Sequence, residues 1–189
     1  MRPQIVFLDT NVILDYLENR NQEVRDIIAQ LLLLHEKGRV ILATSVYNIA
    51  ELIDKEFEIR FIGWCLSERL SYDETINNLR RNEKLFREIS SRNKGRIKRR
   101  IEDFIFKKRI TILSLSGPDE YEQLFNLIYE RNLKSQDALM VATALANNVT
   151  YFLSNDSTLI NKIGDLLDAY NLRDENLRKA FRENVLEAI

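Results

Sequence analysis

Gln4-Ile5-Val6-Phe7-Leu8-Asp9-Thr10-Asn11 is the stretch whose reading decides the fold of this chain. A strand with one face in water alternates polar and apolar residues. The run from Ile5 to Leu8 does not alternate, which is the pattern of a strand buried on both faces, as in a parallel sheet covered by helices. Asp9 then stands at the carboxyl end of an inner strand, the end at which open α/β sheets bind their ligands.

Working outward, Val24, Ile27, Ile28, Leu31 and Leu32 recur at helical spacing, and Gly38 after His35-Glu36-Lys37 closes that helix. Val40 to Ala43 reads as a second strand, with Thr44 or Ser45 capping a helix that carries Tyr47 and Glu51. Ile110 to Leu115 reads as a third strand, and Pro118 opens a helix ending near Arg131. Ser135 is expected to cap the next helix, whose small residues Ala138, Ala142 and Ala146 suit close packing on a sheet. Val149 to Leu153 is the expected fourth strand. Residues 157 to 189 read as helical, with no fifth strand. Alternating strands and helices predict an α/β fold with a central, mostly parallel sheet.

Between residues 55 and 108 there is no proline, only two glycines, and apolar residues at helical spacing. This segment reads as a helical insertion, 55–108, within a domain formed by 1–54 and 109–189. Ser71-Tyr72-Asp73-Glu74 has the form of a capping box, and Ile97, Ile101, Phe104 and Ile105 make an apolar stripe. Trp64, Tyr72 and Phe86 are read as packing residues rather than base-stacking ones.

The chain has 189 residues, 45% hydrophobic and 30% charged, enough for one buried domain carrying an insertion. No apolar run approaches the ~20 residues that span a bilayer, so no membrane partner is expected. The apolar run at the N-terminus stops at Asp9, short of a signal peptide. A single cysteine, Cys65, excludes an intramolecular disulfide and cysteine-based metal sites, and suits a reducing, cytoplasmic setting. The formal net charge is −1, yet residues 80 to 109 hold 13 Lys or Arg against four acids, a local +9, leaving −10 elsewhere. Arg92, Lys94, Arg96, Lys98, Arg99 and Arg100 are the candidate nucleic-acid contacts. Glu83, Glu88, Glu102 and Asp103 offer them intrahelical partners instead, as on a solvated face.

Asp9 follows the first strand, Asp156 follows the fourth, Glu51 lies in the second turn of the helix after strand two, and Asp137 lies in the first turn of its helix. All four can reach one edge of the sheet. Two carboxylates about 4 Å apart repel by about 4 kcal/mol at an effective dielectric near 20, so converging acids either retain protons or enclose a cation. Oxygen ligands without His or Cys favour the hard ions Mg²⁺ or Mn²⁺. The chemistry implied is phosphodiester hydrolysis: one ion polarises the phosphate and acidifies the attacking water, and a second stabilises the departing oxygen. No histidine base is needed, and His35 reads as a surface residue in the last turn of a helix. Asp15 reads as exposed or structural.

Phe7-Leu8-Asp9-Thr10-Asn11-Val12-Ile13-Leu14-Asp15, Ala50-Glu51-Leu52, Asp137-Ala138-Leu139 with Ala142-Thr143-Ala144, and Phe152-Leu153-Ser154-Asn155-Asp156 together resemble the PIN domains. The resemblance covers residues 4 to 54 and 110 to 156. It implies a three-layer α/β/α fold and a Mg²⁺- or Mn²⁺-dependent single-strand nuclease, usually an endoribonuclease. Asp9, Glu51, Asp137 and Asp156 match the family's acids. Asn11 and Ser154 match polar positions that orient ligands, with Thr10 a third. Many relatives are toxins of toxin–antitoxin pairs, so an RNA substrate, an antitoxin protein and a second copy in a homodimer are the expected partners. Those relatives are generally shorter, and the insertion after Glu51 departs from their pattern. The alternative function is a non-catalytic RNA-binding or assembly module on the same fold. An aspartyl-phosphate phosphatase, with a second Asp two residues after the first, is disfavoured by Asn11.

Overall fold

The computed structural model describes residues 3–81 and 93–188. Five strands form its sheet: β1 (Gln4–Leu8), β2 (Val40–Ser45), β3 (Thr111–Leu113), β4 (Tyr151–Ser154) and β5 (Asp168–Asn171). Their order is β3-β2-β1-β4-β5, and every neighbouring pair is parallel. The chain winds outward from β1 to β2 and β3, then returns to the other side of β1 for β4 and β5. The reversal falls between β1 and β4, and the crevice at their carboxyl ends is where this topology receives ligands.

The central position of β1 explains its unbroken apolar run. Phe7 stacks on Phe152 with ring centroids 5.1 Å apart and planes 6° from parallel. Both join a core with Ala138, Val141, Ala142, Ile160 and Ile163. Val6 and Leu8, which alternate with Phe7, are equally inaccessible, so helices flank both faces. These are α1 (Thr10–Glu18), α2 (Gln22–Glu36), α6 (Pro118–Tyr129), α7 (Ser135–Ala146), α8 (Ser157–Ile163) and α9 (Glu175–Phe181), the last continued by a π-helical turn, Arg182–Leu186.

The absence of a fifth strand in the sequence reading is corrected by β5. It is a four-residue edge strand, Asp-Ala-Tyr-Asn, whose composition is poor for a strand. It pairs with β4 from Tyr151↔Asp168 to Ser154↔Asn171. The cap of α7 is Lys134 rather than Ser135, because Ala138 N already donates to Lys134 O at 2.8 Å. His35 is half-buried, not a plain surface residue: its Nε2 lies 3.1 Å from Arg109 O, and its Nδ1 3.1 Å from Val40 O.

The chain folds as two compact units, Met1–Ile49 with Lys108–Ile189, and Ala50–Lys107. The first holds the sheet. The second is helical: α3 (Val46–Ser67) begins before it and continues into it, followed by α4 (Tyr72–Arg81), α5 (Lys94–Glu102) and a π-helical turn, Asp103–Lys107. Ser71 and Glu74 close the capping box of α4, with Ser71 N to Glu74 Oε2 at 2.8 Å and Glu74 N to Ser71 Oγ at 3.3 Å. Ile97, Ile101, Phe104 and Ile105 are all buried, as their spacing predicts. Trp64 is half-buried against Phe61, whereas Tyr72 is exposed rather than packed. Phe86 lies outside the described residues. Among the described residues no helix is long and apolar enough to cross a membrane.

Candidate active site

Asp9 occupies the N-cap of α1, with extended backbone and its carbonyl accepting from Val12 N and Ile13 N at 3.1 Å. An N-cap aspartate ordinarily turns its carboxylate onto the first amides of its own helix. Asp9 does not. Its Oδ2 accepts from Ser154 Oγ at 2.6 Å and its Oδ1 from Asn48 Nδ2 at 3.3 Å. The side chain is thus held across the crevice between β1 and β4 by neighbours from other elements, and the residue is only 5% exposed.

Ser154 is fully buried at the end of β4. Besides donating to Asp9, its hydroxyl accepts from Asp156 N at 3.1 Å and from Asn11 Nδ2 at 3.5 Å. Asn11 returns the link by accepting from Asn155 N at 2.9 Å. Thr10 is buried too and meets Asn48 at 3.0 Å. The three polar positions expected to orient ligands therefore lie in one hydrogen-bonded network around Asp9.

Asn48 is the residue that sequence reasoning missed. It is fully buried in the first turn of α3, where its N donates to Ser45 Oγ at 3.0 Å. Its Nδ2 also meets Met140 Sδ at 3.1 Å. Met140 lies one turn beyond Asp137 on α7, and residues three apart share a helix face. The Asp137 face of α7 is thereby tied to Asp9 through Asn48. The spacing Ser45-x-x-Asn48 is a capping pattern that was visible in the sequence.

Asp156 is exposed and caps α8, its Oδ1 accepting from Thr158 N at 2.8 Å and Leu159 N at 3.1 Å. Asp137 is half-buried in the first turn of α7. Glu51 is half-buried on α3, inside the second unit. Among the described residues no three of His, Cys, Asp and Glu stand close enough together to hold a metal ion. The donors of Asp9, Asp137 and Asp156 are nonetheless all oxygen, the chemistry that Mg²⁺ and Mn²⁺ require.

Asp15 is fully buried, with no exposed character. Arg173 Nε and Nη2 grip its carboxylate at 2.8 and 2.6 Å, and Asn155 Nδ2 adds a bond of 2.9 Å. The bond to Asp15 holds the Arg173 guanidinium above its ordinary basicity in spite of burial.

The family model of the PIN domain matches residues 59–165, more than half of the chain. The chain belongs to the PIN domain family. Members of that family are generally metal-dependent nucleases. The matched segment contains Asp137 and Asp156, and begins after Asp9 and Glu51. The crystal structure of VapBC2 from Rickettsia felis bound to a DNA fragment from their promoter is similar in fold. Its TM-score is 0.52 at 17% identity, over 87% of this chain and 96% of that one. No curated protein matches the chain.

In this PIN domain the basic residues of the second unit are not equivalent. Arg100 reaches the fully buried Glu56 at 3.4 Å, beside Arg60 at 3.3 Å, so its guanidinium is committed inside that unit. Lys98 pairs loosely with Glu102 at 3.6 Å. Lys94, Arg96, Lys98 and Arg99 are exposed on α5, and Arg92 lies outside the described residues.

Proposed function

We propose that the chain is an endoribonuclease that hydrolyses phosphodiester bonds of single-stranded RNA, using Mg²⁺ or Mn²⁺. Asp9 carries this reading: its carboxylate is withheld from the helix it caps and fixed at the β1–β4 crevice by Ser154 and Asn48. Asp9, Asp137 and Asp156 would hold the one or two ions, and Glu51 is assigned the same role from its Ala50-Glu51-Leu52 context alone. When bound, such ions supply positive charge to the phosphoryl oxygens and activate the attacking water. The chain's own part is to hold and aim its carboxylates. The Ser154 hydroxyl and the Asn48 amide donate to the two carboxylate oxygens of Asp9 and fix where they point. His35 is engaged by backbone carbonyls and has no part in the proposal.

Lys94, Arg96, Lys98 and Arg99, with Arg92, are assigned to the RNA backbone as phosphate contacts. A cytoplasmic setting, an antitoxin partner and a homodimer belong to the same proposal. The likeness in fold to VapBC2, solved on promoter DNA, supports the antitoxin. The reading is tested with fluorescently labelled single-stranded RNA in Mn²⁺. Cleavage should vanish with EDTA and in Asp9→Asn or Asp137→Asn proteins that still fold. Cleavage persisting in both variants would overturn it.

The cap made by Asp156 favours a second reading, a non-catalytic RNA-binding module in which that carboxylate serves only its helix. RNA binding without cleavage in Mg²⁺ or Mn²⁺ would select it.

A further inference from the structure

Arg173 follows β5 and so emerges at the same carboxyl edge of the sheet as Asp9 and Ser154. Its surroundings fix it before anything binds. Asn171 Oδ1 accepts from Arg173 N at 2.8 Å and from Asp174 N at 3.3 Å, while Asn171 Nδ2 donates to Ser157 Oγ at 2.8 Å. Arg178 Nη1 donates to Leu172 O at 3.2 Å and to Arg173 O at 3.5 Å. The backbone that presents Arg173 is therefore pinned on both sides.

A guanidinium has five N–H donors in a planar fork. Asp15 takes two of Arg173's, and the side chain remains 50% exposed. Among the described residues no partner takes the other three. Asp15 itself is fully buried, so the outward end of this ion pair is the cationic one. The pair is joined to the candidate site without a break: Asp15 to Asn155, Asn155 to Asn11, Asn11 to Ser154, Ser154 to Asp9. Asn11 and Asp15 lie four residues apart on one face of α1, about 6 Å along its axis. Arg173 is thus set beside the crevice rather than within it.

We infer that Arg173 is a substrate-binding residue that presents its outward N–H groups to a phosphate flanking the scissile one, with Asp15 as the buried group that aims it. The inference rests on the proposed nuclease reading and names a contact for that substrate. A planar, pre-oriented fork matches two oxygens of a phosphodiester, which a freely rotating ammonium does not.

The test measures binding of fluorescein-labelled oligouridylate in EDTA, so that no cleavage intervenes. Because Arg173→Gln alone would strand the buried Asp15, the main variant is Asp15→Asn/Arg173→Gln, in which a neutral hydrogen-bonded pair replaces the ion pair. It should bind about ten-fold more weakly, and its slope of log affinity against log salt should be shallower by about 0.7, one phosphate's share on a single strand. Asp15→Asn alone keeps the cation and should keep the wild-type slope. In the wild-type protein the Arg173 Nε–Hε resonance should move on titration with the oligonucleotide, a readout that needs no variant to fold. Unchanged affinity and slope in the folded double variant, an unmoved resonance, or no binding by the wild type would each overturn the inference. Separate cleavage assays in Mn²⁺ keep the two claims apart. A wild type that binds through Arg173 and never cleaves refutes only the nuclease reading; one that cleaves while the double variant binds normally refutes only this contact.

Discussion

Ser154→Ala isolates the device on which the candidate site depends. The hydroxyl donates to Asp9 at 2.6 Å in a fully buried position, and it accepts from Asp156 N and Asn11 Nδ2. A hydrogen bond to a charged group contributes about 1.5–3 kcal/mol, and here no water can replace it without opening the crevice. For a chain of this size each kcal/mol moves the melting temperature by about 2–4 °C, so Ser154→Ala should melt about 3–12 °C lower by circular dichroism. Mn²⁺ binding or activity should weaken about 10- to 100-fold, the usual effect of losing a group that orients a metal ligand. Ser157→Ala is the matched control: the same deletion three residues on, at an exposed position, removes only an acceptor for Asn171 Nδ2. If both variants melt within about 1 °C of wild type and titrate with Mn²⁺ alike, Ser154 does not hold Asp9 and the account of the crevice fails.

The remaining expectations address the two units and the caps. Asp156→Asn keeps a good N-cap side chain, so it should fold like wild type yet lose RNA cleavage, while Asp156→Ala should additionally cost about 1 kcal/mol in urea denaturation; equal activity in all three proteins would confine Asp156 to capping. Glu56→Ala removes the buried carboxylate that faces Arg60 and Arg100, and should destabilise the helical unit by about 3–5 kcal/mol, read as faster proteolysis of residues 50 to 107. Glu74 and Glu120 are held below their ordinary value of 4.5, each chiefly by a backbone amide from Ser71 or Ser116. Their stabilisation is complete above pH 4.5 and is lost as the pH falls through their lowered folded-state values. Glu74→Gln/Glu120→Gln should therefore flatten the acid limb of the melting curve, and an unchanged limb would contradict it.

What was legible in the sequence follows from how each element is buried. β1, β2 and β4 are inner strands, and burial on both faces writes an apolar run that needs no partner to be read. Asp9, Ser154 and Asp156 were visible because each adjoins such a run. The contact of Asn48 with Asp9 was not, since Ser45-x-x-Asn48 reads only as a helix cap, and only the fold brings Asn48 against Asp9 and Met140. Arg100 carries the same letter as its exposed neighbours, and its commitment to Glu56, 44 positions away, has no local signature.

β5 shows why the unread part matters to the site. An edge strand bonded on one side can be short and polar, so nothing in Asp168-Ala169-Tyr170-Asn171 announces it. Its pairing with β4 nevertheless places Asn171 beside Ser154 in register, with Leu172 N donating to Ser154 O at 3.2 Å. The residue that fixes Asp9 is therefore itself fixed by the strand, and the turn that follows delivers Arg173 to Asp15, 158 positions back along the chain. The candidate carboxylate Asp9, the serine that bonds it and a candidate phosphate contact are thus tied to one sheet edge by the element least visible in the sequence. A substitution that breaks β5 pairing, such as Tyr170→Pro, should then lower affinity for RNA together with the stability of the Asp9 network.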